Sequence, residues 1–345
     1  HVYARAKVVP DLMVSRGEEA YRTARILGDP TIEFLAAAGV ALALLDFGDV
    51  AGAERWLSNA AAAAASAPAP IRARQLELWR GMARAAAGDA EGLRRHLEEA
   101  VAMATRQGQA AARCEALARL ALEAARLGAR SGDEELLDLA ERSARQAGEI
   151  ARLLPGHAPW PAQAQAAISQ VALARGDLEG AAMAGGAAMQ ILQDALHEDM
   201  NLEILLPASR GIFAGGPPEA QAAVRAWLQL QLGRIAQGTL DEDIRVRWLR
   251  GPVGRELVEL AGSLEEAGMR DPEAGPATND QATEQDPIDR QLLQLLTEGS
   301  TNAEMGAALG MDGDTVAQRL AMLLSRLGAS NRAEATSLAF RGLAR

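Results

Sequence analysis

Cysteine occurs once in these 345 residues, at position 114, so no disulfide can form within the chain. Lysine also occurs once, as Lys7, and arginine carries nearly all of the positive charge. Aromatic residues make up 3% of the chain against 49% apolar residues overall. The β-branched and aromatic residues that favour strands are therefore scarce, while alanine and leucine, which favour helix, are abundant, and an all-α protein is expected. No apolar run reaches 18 residues and no signal peptide opens the chain, so a cytoplasmic protein without a membrane partner is expected. The net charge of −11 excludes a protein that coats nucleic acid non-specifically; any contact with nucleic acid must come from a local patch.

Catalytic and metal-binding patterns are absent too. A phosphate-binding loop needs a lysine after spaced glycines, and Lys7 has none before it. His96, His157 and His197 stand far apart, with no second ligand one helical turn away. His96 falls where other repeats carry Trp56, Ala140 and Ala184, which predicts packing against a neighbour, and His157 lies in a Pro-Gly loop. No Ser, Cys or Thr stands beside a marked base, and Glu98-Glu99 and Glu134-Glu135 read as solvated helix faces. Cys114 sits in a helical run and reads as a small buried hydrophobe. No cofactor and no enzymatic activity are expected.

What is present is a repeat. Gly-Asp pairs stand at Gly48-Asp49, Gly88-Asp89, Gly132-Asp133 and Gly176-Asp177, at spacings of 40, 44 and 44 residues, and Gly216 follows 40 further on. Each glycine is expected to end a helix with positive φ, and each acid to cap the next. Five and twelve residues after the glycines come Ala53, Leu93, Leu137 and Ala181, then Ala60, Ala100, Ala144 and Ala188. These positions lie two turns apart on one helix face, where small residues admit a close neighbour. The partner helices are predicted at 71–87, 110–127 and about 161–175. Trp56, Trp79 and Trp160 are expected to fill gaps left by alanine. The pattern resembles tetratricopeptide-like repeats of longer period, which implies five or six stacked hairpins over residues 1–262 with a concave face that binds a protein, a peptide or another protomer.

Residues 241–262 read as a basic stretch, then a helix from about Gly254; they resemble a segment that precedes the DNA-binding domain of large bacterial regulators. Arg245, Arg247 and Arg250 there either touch phosphate or make surface ion pairs. Residues 263–285 are rich in Pro, Asp, Thr and Gln and read as a flexible linker.

In the remainder, 286–345, Asp286-Pro287 reads as a helix start, and Leu292, Leu293, Leu295 and Leu296 form an apolar stripe closed by Gly299. Thr301 or Asn302 opens a second helix with Met305, Ala308 and Leu309 inward, and Gly310 permits a tight turn. A third helix follows Asp314-Thr315, with Val316, Leu320, Leu323, Leu324 and Leu327 inward, and a fourth begins near Asn331. Leu295-Leu296, Glu298-Gly299, Asn302, Glu304-Met305, Leu309, Thr315-Val316, Leu327-Gly328 and Arg332-Ala333-Glu334-Ala335 fall on one family's spacing. The stretch resembles the LuxR-type (GerE-type) helix-turn-helix domain.

That resemblance implies a transcriptional regulator. Its third helix would lie in the major groove of double-stranded DNA and its fourth would pair with a mate in a homodimer. The residues it implicates are Asn302, Thr315, Val316, Gln318, Arg319, Arg326 and Arg332; Gln318 would read adenine, and Arg319 or Arg326 would hold phosphate. Three departures stand beside it. Asp286-Pro287-Ile288-Asp289 replaces the family's usual opening, and Ala317 and Ala321 occupy positions that are most often basic. From residue 286 onward seven acids (286, 289, 298, 304, 312, 314, 334) face six arginines (290, 319, 326, 332, 341, 345), so the module is near neutral. The alternative is an interaction scaffold whose terminal domain has lost DNA binding and serves dimerisation. Regulators with this module often carry an N-terminal nucleotide-binding domain, and an opening on His1 fits a C-terminal piece of one or a tagged chain.

Overall fold

The computed structural model describes residues 10–154, 159–194, 202–238 and 242–262, and beyond them 288, 291–292, 295, 302–311, 315–316 and 319. The chain divides into two compact units, His1–Asp271 and Pro272–Arg345. Every regular element among the described residues is helical. The segment 263–285 read as a linker lies outside the described residues.

Among the described residues the first unit begins with α1 (Pro10–Leu27) and continues as helical hairpins: α2 (Pro30–Asp46) with α3 (Val50–Ser66), α4 (Pro70–Ala86) with α5 (Ala90–Arg106), and α6 (Ala110–Ser131) with α7 (Glu134–Ala151). Two more follow, α8 (Trp160–Ala174) with α9 (Leu178–Asp194) and α10 (Leu202–Gly215) with α11 (Pro218–Gly238). The second helix of each hairpin packs against the first helix of the next, and first helices also pack on one another, most extensively α6, α8 and α10.

The turn inside the first four hairpins is built as the Gly-Asp pairs predict. Gly48, Gly88, Gly132 and Gly176 have φ between 70° and 79°, where a side chain would be strained. The aspartate that follows accepts a hydrogen bond from the backbone N–H three residues on: Gly52 (2.8 Å), Gly92 (2.8 Å), Leu136 (3.1 Å) and Gly180 (2.9 Å). Asp133→Ala is expected to cost about 1 kcal/mol, the usual worth of such a cap, and to lower the thermal unfolding midpoint where Asp133→Asn does not.

Gly28-Asp29 forms the same turn, with φ 67° and hydrogen bonds from Thr31 and Ile32 to the Asp29 carboxylate, and it joins α1 to α2. This pair stands outside the series read from the sequence. Gly216, expected to continue the series, does not: α10 ends at Gly215, and Gly216 is not among the positive-φ glycines. A Cβ on Gly216 would come within 2.6 Å of the Ile212 carbonyl, so close approach, not handedness, requires glycine there.

The +5 and +12 positions are all core: Ala53, Ala60, Leu93, Ala100, Leu137, Ala144, Ala181 and Ala188 are buried. Among the described residues most of the interior lies in two apolar clusters. One spans α1 to α4 around Phe34, Leu57 and Leu76; the other runs from α4 to the end of the unit around Leu97, Leu122, Leu205 and Leu228. Cys114 is buried in the second; its thiol donates to the Ala147 carbonyl (3.3 Å), and burial pushes it up to about 11. Tyr21 meets Trp56 edge-on and Phe34 packs against Trp79, so these tryptophans fill space between alanine-rich helices as expected. His96 does meet a neighbour, but through a polar contact, its Nδ1 standing 2.6 Å from Glu77 Oε2.

Residues 242–262 differ from expectation. Helix begins at once as α12 (Glu242–Arg250), breaks at Gly251 and resumes as α13 (Pro252–Ala261). Pro252 at the first helical position dictates the break, because the residue before a proline is driven to extended backbone; Gly251 has ψ 167°. The pattern does not reveal α12 because Trp248 and Leu249 are its only buried residues among those described, too few to show a period.

Candidate functional site

α12 and α13 return to the beginning of the repeat unit. Arg247 lies over the Phe47 ring (5.4 Å) and 3.8 Å from Asp49, so of the two roles read for the arginines of this stretch, Arg247 takes the ion pair. A Cβ on Gly48 would sit 3.1 Å from Pro252, and one on Gly251 2.7 Å from the Asp46 carbonyl, so the backbones meet at this seam. Behind the seam is a cavity of about 450 Å³, to which α2, α4, α6, α8, α10 and α13 contribute Leu42, Met82, Arg126, Gln170, Leu206 and Val253.

Its wall holds a charge network that joins helices far apart in sequence. Arg119 on α6 pairs with Glu203 on α10 (2.8 Å) and with Glu123 (3.4 Å). Arg126 stands 3.5 Å from Glu123 and donates to the Glu203 carbonyl (2.8 Å). Glu123 is 7% exposed, and a carboxylate so removed from water is tolerated because two guanidinium groups neutralise it. Arg210 on α10 pairs with Glu256 on α13 (2.9 Å), and Arg130 donates to the Ala85 carbonyl at the end of α4 (3.0 Å). Nothing in the sequence singles these residues out. The bonded partners Arg119 and Glu203 stand 84 residues apart, and only the return of the stack on itself brings them together.

In the second unit the described residues fall in three helical stretches. Ile288, Gln291, Leu292 and Leu295 are helical; α14 (Asn302–Leu309) follows; Gly310 then turns with φ 68°; and Thr315, Val316 and Arg319 are helical again. The Met311 N–H closes the turn on the Gly306 carbonyl (2.8 Å). Leu292, Met305 and Val316, one from each segment, are fully buried. Ala308, expected inward, is exposed, and Leu309 is half-buried. The reason is register: α14 is only two turns long, and Met305 and Gly306 occupy its buried side.

Of the residues assigned to DNA contact, Asn302 is the first residue of α14, Thr315 is exposed and Arg319 is half-buried. Val316 is fully buried, so it holds its helix in place and does not offer its side chain to a base edge. Gln318, Arg326 and Arg332 lie outside the described residues, as do Thr301, the acids at 312 and 314, and the fourth helix.

No group of three or more His, Cys, Asp or Glu side chains suited to a metal ion occurs among the described residues; His157 and His197 lie outside them. No described helix is long and apolar enough to cross a membrane. No family model matches the chain, and no curated protein matches it.

Proposed function

We propose that this chain is a transcriptional regulator in which a C-terminal LuxR-type helix-turn-helix contacts double-stranded DNA as a homodimer, while a tetratricopeptide-like superhelix receives the signal. The observation that carries the reading is the segment from Ile288 to Arg319. Its residues match the family's spacing, and three helical stretches, the last two separated by the positive-φ turn at Gly310, each bury one apolar residue: Leu292, Met305 and Val316. Burial of one residue from each stretch is what a small trihelical core requires. Thr315 is exposed beside Val316, at the start of the helix that would enter the groove. Gln318 is then the residue set to read adenine, with Arg319 or Arg326 set to hold phosphate, and Asn302 and Arg332 belong to the same contact set. The repeats supply the receiving surface, through their concave face toward a protein or peptide or through self-association.

The near-neutral balance of seven acids and six arginines from residue 286 onward favours a second reading, a scaffold whose terminal module only dimerises. A salt titration separates the two. Fluorescence anisotropy of the chain on a random duplex, from about 20 to 200 mM salt, is expected to show log K falling with log salt at about 0.9 per phosphate contact. No binding at the lowest salt eliminates the DNA reading in favour of the scaffold.

A further inference from the structure

We propose that the half-open cavity lined by the repeats binds a small zwitterion with an aliphatic body, an amino acid or a short peptide. This deepens the receiving role given above to the repeats. Its test contains no DNA, so it can fail while duplex binding stands, and the reverse.

Size comes first. Because α13 returns to the turn after α2, with Gly251 against the Asp46 carbonyl and Pro252 against Gly48, the cavity is bounded on that side by backbone. The space left, about 450 Å³, lies in the range of sites for small molecules, about 300–1,000 Å³.

Charge narrows the class. Glu123 and Glu203 are neutralised by Arg119 and Arg126, and Glu256 by Arg210. Asp46, another carboxylate of the lining, is engaged in a contact of its own. Three ionic groups of the lining remain without an ion pair among the described residues: Arg130 on α6, whose contact is the Ala85 carbonyl, and Arg255 and Glu259, one turn apart on α13. Two guanidinium groups and one carboxylate are the complement of a ligand carrying one carboxylate and one ammonium group, because charge-assisted hydrogen bonds form between such partners.

The neutral part of the lining fits the same ligand. Leu42, Leu45, Met82, Leu206 and Val253 offer an aliphatic surface. The Gln170 side-chain oxygen is buried at the cavity without a donor among the described residues, and an ammonium or amide N–H would satisfy it.

Isothermal titration calorimetry of the full chain tests the proposal with three probes: L-leucine, L-leucyl-L-leucine, and N-acetyl-L-leucine amide, which lacks both charges. At least one zwitterion is expected to bind with Kd of about 1 mM or tighter, and the capped compound at least about tenfold more weakly. Binding of leucine alone identifies a free amino acid as the ligand class, and binding of the dipeptide a peptide. Arg255→Gln and Glu259→Gln, both at exposed positions, are each expected to weaken that binding about tenfold or more, the worth of one charged hydrogen bond, without lowering the unfolding midpoint. Absence of binding by both zwitterions, equal binding of the capped compound, or unchanged binding by both variants overturns it.

Discussion

Leu97→Ala is expected to destabilise the repeat unit by about 2–5 kcal/mol, the range for removing a fully buried leucine from a core that collapses only in part. Leu97, on α5, is 0% exposed. It fills the space above Gly81 on α4, where an added Cβ would lie 2.4 Å from Leu97 Cγ. Gly81→Ala alone is therefore expected to cost about 1–3 kcal/mol by overpacking. In the Leu97→Ala background the obstruction is gone, and Gly81→Ala then only exchanges glycine for alanine inside a helix, which favours folding by up to about 1 kcal/mol. The second substitution should thus change sign with the state of the first. Urea denaturation of the two single variants and the double variant measures this coupling. Strictly additive effects would show that α4 and α5 do not meet at this pair.

Ala317→Lys with Ala321→Lys is expected to strengthen duplex binding about sixtyfold at 0.1 M salt, because two added phosphate contacts at about 0.9 each raise the log–log salt slope by about 1.8. On the helical register read from the sequence, both alanines lie on the exposed face of the third helix of the module, with Gln318 beside them. With seven acids facing six arginines in the parent, its own salt slope is expected to be shallow, so the added slope stands out clearly. Anisotropy titrations of parent and double variant over the same salt series check it. An unchanged slope would mean that this helix does not face phosphate, and would move the terminal module to the dimerisation reading.

The repeat is legible because its signals are local. A glycine with positive φ followed by a capping aspartate needs only a few neighbouring residues to specify it, and an alanine or leucine at fixed distance marks the buried face. Ala53, Leu93, Leu137 and Ala181 are accordingly core. Gly28-Asp29 nonetheless falls outside the series, because it joins α1 to α2 where the other pairs join the two helices within a hairpin. α12 is hidden for a different reason: its buried residues among those described are the adjacent Trp248 and Leu249, and adjacency carries no helical period. In the terminal module the pattern marks Met305 and Val316 correctly as inward but misplaces Ala308, since a helix of two turns has too narrow a buried side to take every apolar residue.

The amino-acid sequence alone determined the secondary structure class, the hairpin repeat and its turns, and the apolar faces, since each depends on interactions within a few residues along the chain. Tertiary structure alone decided that α13 meets the turn after α2, that Arg119 finds Glu203 across 84 residues, and that a cavity with Arg130, Arg255 and Glu259 in its lining forms between them. The physical reason is accumulation. Each hairpin turns slightly relative to the last, by an amount that no single residue encodes, and only the sum over the stack fixes whether its two ends meet.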